Sequence, residues 1–177
     1  MNYKNILVQN SDQISYLTIN RLKYLNSLNN ETINELSSCI NEIIQNKEIK
    51  CVIMTGAEKK AFVAGADIKE FSDFNKMQGR DLSRNGHDKL FNLIENSPIP
   101  FIAAINGFAL GGGLELAMSC HIRVASDNAK MGLPEVSLGV IPGYGGTQRL
   151  PQIVGKGIAF EMITTAKIIS AEKALSI

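Results

Sequence analysis

The sequence predicts one α/β domain, and three observations predict it. Strand-like and helix-like patterns alternate along the whole chain. No second composition regime and no Ser/Pro-rich linker divides it. Its 177 residues suit one substantial core, so residues 1–177 are expected to form a single domain.

Residues 6–8 and 14–19 read as two short strands joined by a polar turn at 10–13. Residues 30–46 carry helical periodicity, with Ile33, Leu36, Ile40, Ile43 and Ile44 on one face and Glu31, Glu35, Glu42 and Gln45 elsewhere. The unbroken apolar run 51–54 predicts a strand buried on both faces, ended by Gly56. Residues 61–67 read as a small-residue loop. The stretch 68–96 is polar and mixed, with a helix expected around 88–94. Pro98 and Pro100 break it, and 101–105 forms another buried strand. A turn at Asn106-Gly107 and three glycines at 111–113 lead into a short helix at 114–119. A strand at 122–125, a loop through Pro134-Glu135 and a Gly-rich stretch at 139–146 follow, then helices at 147–154 and 156–164. Ser170 reads as the N-cap of one more helix. Ile177 comes barely two turns later, so further chain is expected beyond it.

Composition narrows the function classes. Hydrophobic residues make up 45% and charged residues 20%, ordinary values for a globular protein. Eighteen basic residues nearly balance seventeen acidic ones, and Lys59-Lys60 is the only adjacent basic pair, so nucleic-acid binding is not suggested. Cys39, Cys51 and Cys120 are odd in number and widely spaced, which fits neither a disulfide framework nor a zinc site. They read as buried free thiols in a reducing compartment. The polar stretch 1–10 has no apolar core of a signal peptide, and no apolar run approaches the roughly 20 residues that span a bilayer. A cytoplasmic protein without membrane partners is expected.

Three segments have residue types suited to chemistry. The glycines before Leu114-Glu115-Leu116 either permit close helix packing or bare backbone N–H groups toward developing negative charge. Neither nucleotide-phosphate glycine pattern, Walker A or G-x-G-x-x-G, is present. Glu115, set among Leu114, Leu116, Ala117 and Met118, lies on a wet stripe or is buried with a purpose. Glu135 after Pro134 is a rim carboxylate or the second member of an acid–base pair. The segment 61–68, with small residues around Gly65 before Asp67, is a tight buried turn or a place where a ligand approaches backbone.

Together these segments resemble the enoyl-CoA hydratase (crotonase) family. The resemblance is carried by Ala64-Gly65-Ala66-Asp67-Ile68-Lys69-Glu70, by Asn106 through Ala117 with its triple glycine, and by Pro134-Glu135. It continues in Ile141-Pro142-Gly143-Tyr144-Gly145-Gly146-Thr147-Gln148-Arg149-Leu150 and in the loop Asn20-Arg21-Leu22-Lys23-Tyr24-Leu25-Asn26-Ser27-Leu28. The motifs occur in family order across essentially the whole chain, and short-chain bacterial hydratases are the members it looks most like.

The resemblance implies a spiral of repeated β-β-α units. It implies an oxyanion hole built from the backbone N–H groups of Ala66 and Gly112, with Glu115 and Glu135 as the catalytic pair. It implies acyl-CoA contacts at Lys23, Leu25, Ala64, Ala66, Asp67, Ile68, Lys69 and Gly112. No metal or redox cofactor is called for, because coenzyme A is part of the substrate. The expected reaction is reversible hydration of a 2-enoyl-CoA such as crotonyl-CoA to a 3-hydroxyacyl-CoA. The alternatives are a Δ3,Δ2-enoyl-CoA isomerase using Glu135 alone and a non-catalytic acyl-CoA-binding core. RNA binding, known in one branch, has no basic cluster to support it. The family usually continues for about another third in C-terminal helices that complete a trimer or dimer of trimers, so those helices are expected to be absent here. Three positions depart from the family pattern: Leu22 for a common proline, His121 for a common aspartate, and Leu133 for a common Gln or Gly.

Overall fold

The computed structural model describes residues 3–177. The chain begins with a hairpin. Strands β1 (Ile6–Ser11) and β2 (Ile14–Ile19) pair antiparallel across Asp12 and Gln13, both at positive φ, the geometry that matches a two-residue turn to strand twist. A 3-10 turn (Leu22–Tyr24) leads to helix α1 (Asn30–Gln45), whose first turn is capped by the Asn29 side chain accepting from Thr32 N. Its buried face holds Ile33, Leu36, Ile40 and Ile43, the stripe that the periodicity predicts.

From there the chain winds in repeated turns. Strand β3 (Cys51–Gly56) passes to the short strand β4 (Ala61–Val63). Helix α2 (Lys76–Gly86) then runs through a π-helical turn (His87–Phe91) into α3 (Asn92–Glu95). The next turn repeats the pattern with β5 (Phe101–Ile105), β6 (Phe108–Leu110) and helix α4 (Gly112–Ser119). A third contributes β7 (Ile122–Ala125), β8 (Lys130–Gly132) and a 3-10 turn (Glu135–Leu138). Helices α5 (Gly146–Val154) and α6 (Lys156–Thr165), the two-residue strand β9 (Ile169–Ser170) and α7 (Ala171–Leu175) complete it. The first strands of successive turns stack in one sheet, β1-β2-β3-β5-β7, and the second strands in another, β4-β6-β8-β9. Strands from consecutive turns pair in parallel, so the fold is a β-β-α spiral.

Several sequence expectations are corrected. Residues 61–63, read as loop, form β4, and β6, β8 and β9 also lack a readable pattern. Strands of two or three residues are too short for period-2 alternation to show. The polar stretch after residue 70 is helical from Lys76, earlier than expected, and Asn75 with Gln78 forms its capping box. In β3 and β5 the residues alternate between buried and half-buried, so the apolar runs face the core on one side and a thinner cover on the other. Cys39 and Cys120 are buried and Cys51 half-buried, all three free. His121 has a structural bond, with Nδ1 accepting from Phe101 N at 2.9 Å.

Helix α4 is buried at all eight positions, and Gly113 is what lets it sit there. A Cβ at residue 113 would overlap the Val63 carbonyl of β4. Gly113→Ala is therefore expected to lower stability by about 1–3 kcal/mol, the usual cost of overpacking, in urea denaturation.

Candidate active site

The second sheet aligns three loops. Ala66 follows β4, Gly112 follows β6, and Glu135 follows β8, each two or three residues beyond the C-terminal end of its strand. Because these strands are adjacent and parallel, residues distant in sequence arrive side by side.

The Ala66 loop is fixed by the loop at residues 20–28. Leu28 N donates to Gly65 O at 2.8 Å, and Asp67 N donates to Leu28 O at 2.7 Å, a parallel bridge to Ala66. In such a bridge the middle residue's own N–H points away from its partner strand. The Ala66 N–H is thus turned toward α4. A Cβ at Gly112 would stand only 3.5 Å from Ala66 N, which places the first residue of α4 directly against that donor. A second clamp ties the same loops: Arg21 Nη2 contacts Asp67 Oδ2 at 3.0 Å, Arg21 Nη1 donates to Ser27 O at 2.5 Å, and the guanidinium lies 4.5 Å from the Tyr24 ring centroid. Leu25, at positive φ, offers its carbonyl to Ala64 N, while Lys23, Ile68 and Lys69 stay exposed at the mouth.

Glu115 stands in the first turn of α4 and is 1% exposed, so the wet-stripe reading does not hold. Its Oε1 accepts from Tyr144 N at 2.8 Å and from Gly146 N at 2.7 Å. Burial pushes its pKa from 4.5 up to about 7. The Glu135 charge adds to the rise, while the two N–H bonds and Arg149 oppose it. Glu135 is also raised by burial, and its Oε2 is buried with no hydrogen-bond partner among the described residues. A carboxylate oxygen left so is costly unless the site serves something that bonds to it.

The three glycines divide the two readings between them. Gly113 allows close packing. Gly111, at φ +50°, makes room for Glu135, because a Cβ there would lie 2.8 Å from Glu135 Oε1. Gly112 sits at the donor pair. The arrangement therefore sets the Ala66 N–H beside Gly112 at the N-terminus of α4, with two carboxylates near them whose pKa values are raised. It can stabilise an oxyanion and exchange protons with the same bound molecule.

The family model for enoyl-CoA hydratase/isomerase matches residues 9–177. The chain belongs to the enoyl-CoA hydratase/isomerase family. It is 49% identical over 177 residues to a short-chain-enoyl-CoA hydratase of Clostridium acetobutylicum, and 45% identical over the same length to a crotonyl-CoA hydratase of Syntrophomonas wolfei. All of the chain aligns in each case, spanning 67% and 68% of those relatives. The crystal structure of an enoyl-CoA hydratase from Bacillus anthracis superimposes with a TM-score of 0.90 at 41% identity, over 98% of this chain and 67% of that one. The chain thus spans about two thirds of the length of these relatives.

For this member of the hydratase/isomerase family, the structure brings together Ala66, Gly112, Glu115 and Glu135, and sets Lys23, Leu25, Ala64, Asp67, Ile68 and Lys69 along the adjoining loops. The Asp67 carboxylate is engaged by Arg21. Of the three departures, Leu133 is fully buried beside Pro134, Leu22 is exposed, and His121 lies in the other sheet's loop. Sequence reasoning assigned no role to Tyr144 or Gly146, whose N–H groups hold Glu115. The Gly-rich run 143–146 is the signal that backbone donors are exposed there.

The raised Glu115 pKa has a thermodynamic consequence. Between about pH 4.5 and 7 the folded chain holds a proton that the unfolded chain has released, so this group's contribution to stability falls as pH rises through that window. The fall is on the order of 3 kcal/mol. Urea denaturation across this range is expected to show stability falling less, or rising more, with pH in Glu115→Gln than in wild type, since His87 with its lowered pKa acts in the opposite sense.

Proposed function

We propose that the protein is an enoyl-CoA hydratase that reversibly adds water to a short-chain 2-enoyl-CoA such as crotonyl-CoA. One observation carries the reading: Glu115 and Glu135 are both present, both held against the start of α4, beside the Ala66 and Gly112 N–H pair. The relatives named as short-chain-enoyl-CoA and crotonyl-CoA hydratases support the substrate class.

In this reading the thioester oxygen accepts from Ala66 N–H and Gly112 N–H, and its growing negative charge draws electron density from the double bond. A water lies between the two carboxylates. Its hydroxyl adds to the β-carbon, its released proton goes to one glutamate, and the other glutamate gives its proton to the α-carbon. The pair enters and leaves with one proton, and dehydration is the same path reversed. A buried and a half-buried carboxyl, both with pKa values raised by desolvation, suit a pair that shares one proton. No redox or metal chemistry is needed, and coenzyme A arrives with the substrate. Lys23, Leu25, Ala64, Asp67, Ile68 and Lys69 form the rim that meets the CoA portion. Cytoplasmic location belongs to the same reading, as does assembly as a trimer or dimer of trimers where the C-terminal region is supplied. Exposed apolar side chains at Leu138, Ile141 and Phe160 are compatible with such assembly.

The test is loss of the enoyl-thioester absorbance when purified protein meets crotonyl-CoA. Wild type should consume it, while Glu115→Gln and Glu135→Gln each lose about 100- to 10,000-fold in kcat. A Glu115→Gln protein that keeps full turnover while Glu135→Gln loses it would overturn the two-glutamate mechanism in favour of isomerisation. Binding of the CoA ester without turnover would overturn catalysis altogether.

A further inference from the structure

Arg149 is a buried cation that the hydration mechanism leaves without a task. It lies in the first turn of α5 and is 6% exposed. Nη1 donates to Tyr144 O at 2.8 Å. Nη2 donates to Glu95 Oε2 at 2.6 Å and lies 3.3 Å from His87 Nε2 and 3.4 Å from Asn92 Oδ1. These three partners stand on the π-turn and α3, so one guanidinium ties the turn at 143–146 to that helix. Nε is buried with no partner among the described residues, which means that only the two fork ends are in use. A Leu or Met would fill the same space without the cost of burying a charge, so packing alone does not account for an arginine here.

The bond to Tyr144 O has a specific effect. Tyr144 presents its carbonyl to Arg149 and its N–H to Glu115. Gly145 at φ +94° then swings the chain so that Gly146 N also faces Glu115. A Cβ at Gly145 would collide with Arg149 Nη1, so the turn and the guanidinium fit only each other. The Tyr144 ring stacks on Phe91 with centroids 4.6 Å apart, which holds the ring, while Arg149 holds the peptide carbonyl.

We propose that Arg149 is a positioning residue that locks the Tyr144–Gly146 turn, and through it fixes which way the Glu115 carboxylate points. Its kinetic consequence rests on the hydratase reading; its structural consequence does not. Glu115 is faced by Glu135 from the 3-10 turn, by Tyr144, and by Arg149. Arg149 is faced in turn by His87 and Glu95, with Asp88 beside His87.

The experiment follows the side-chain carboxyl carbons of the full chain by NMR across pH, together with amide exchange at Tyr144 and Gly146, in wild type, Arg149→Met, Arg149→Lys and Glu95→Gln. In Arg149→Met the Glu115 midpoint should rise, because the lock on its two N–H donors and a charge that favours the carboxylate are both lost. The two amides should exchange at least about tenfold faster. Arg149→Lys keeps the charge without the fork, so exchange should quicken while the midpoint rises by less than in Arg149→Met. Glu95→Gln alters only a half-exposed partner and should show a smaller change of the same kind. In turnover, kcat should fall about 10- to 100-fold, as for a misplaced catalytic group. KM should stay within about twofold. An unchanged Glu115 midpoint and unchanged amide protection in folded Arg149→Met, or in the two milder variants where that one does not fold, would overturn the proposal. Lower thermal stability alone is what a purely structural arginine gives. A wild type without hydratase turnover sinks the hydratase reading, while titration and exchange still decide the role of Arg149.

Discussion

A carboxylate buried in an apolar helix must be compensated by its neighbours, and in this protein the compensation for Glu115 organises much of what surrounds it. Helix α4 is enclosed on every side, so Glu115 cannot rely on bulk water for its hydrogen bonds. Its Oε1 is satisfied by two backbone donors from a turn about thirty residues further along the chain. Those bonds hold its pKa down while burial and Glu135 push it up, and the balance near 7 is what general acid–base work near neutral pH requires. Had the donors come from flexible side chains, both the orientation and the pKa would vary with their rotamers. Backbone donors in a turn clamped by Ser83, by the Phe91 stack and by Arg149 do not have that freedom.

The same logic explains the glycines. Gly146 lies against Glu115, where a Cβ would stand 2.9 Å from Oε1, and Gly111 lies against Glu135 in the same way. Each carboxylate is thus seated on bare backbone. Gly113 brings α4 close enough to β4 for Gly112 to meet Ala66. Replacing any of these would move a carboxylate or the Ala66–Gly112 contact as well as disturb packing, so stability and site geometry are coupled in this part of the molecule.

Much of the frame was legible in the sequence, and the reasons are local. Helix α1 announces itself because five isoleucine and leucine side chains recur at helical spacing. Strands β3 and β5 do so because their apolar runs are bounded by glycine, proline and polar turns. Glu115 and Glu135 stand out as candidate carboxylates from their apolar and Pro-flanked surroundings, but only the resemblance pairs them. Their spacing in sequence says nothing about convergence, and the wet-stripe reading of Glu115 was reasonable until burial excluded it. The second sheet was not legible, since β4, β6 and β8 have three residues each and gain their stability from pairing with one another. Nor was the Arg149 network, because its partners Glu95, Asn92 and His87 lie more than fifty residues away in a stretch whose polarity reads as a solvated surface.

The least legible elements are the ones that build the site. A spiral stacks equivalent positions of successive turns, and parallel pairing in the second sheet sets Val63 beside Ala109 and Leu110 beside Gly132. Whatever follows each strand must therefore emerge at the same edge. The first turn delivers an N–H at Ala66, the second an N–H at Gly112 and a carboxylate one helical turn later at Glu115, and the third a carboxylate at Glu135. The hairpin-side loop adds its own bridge from Leu28, which brings Lys23 and Leu25 to that edge as well. Each turn is free to vary the chemistry of its loop, because the pairing that aligns the loops involves only backbone. Sites at the carboxyl ends of parallel strands arise for this reason, and here three strands of three residues are sufficient to assemble one.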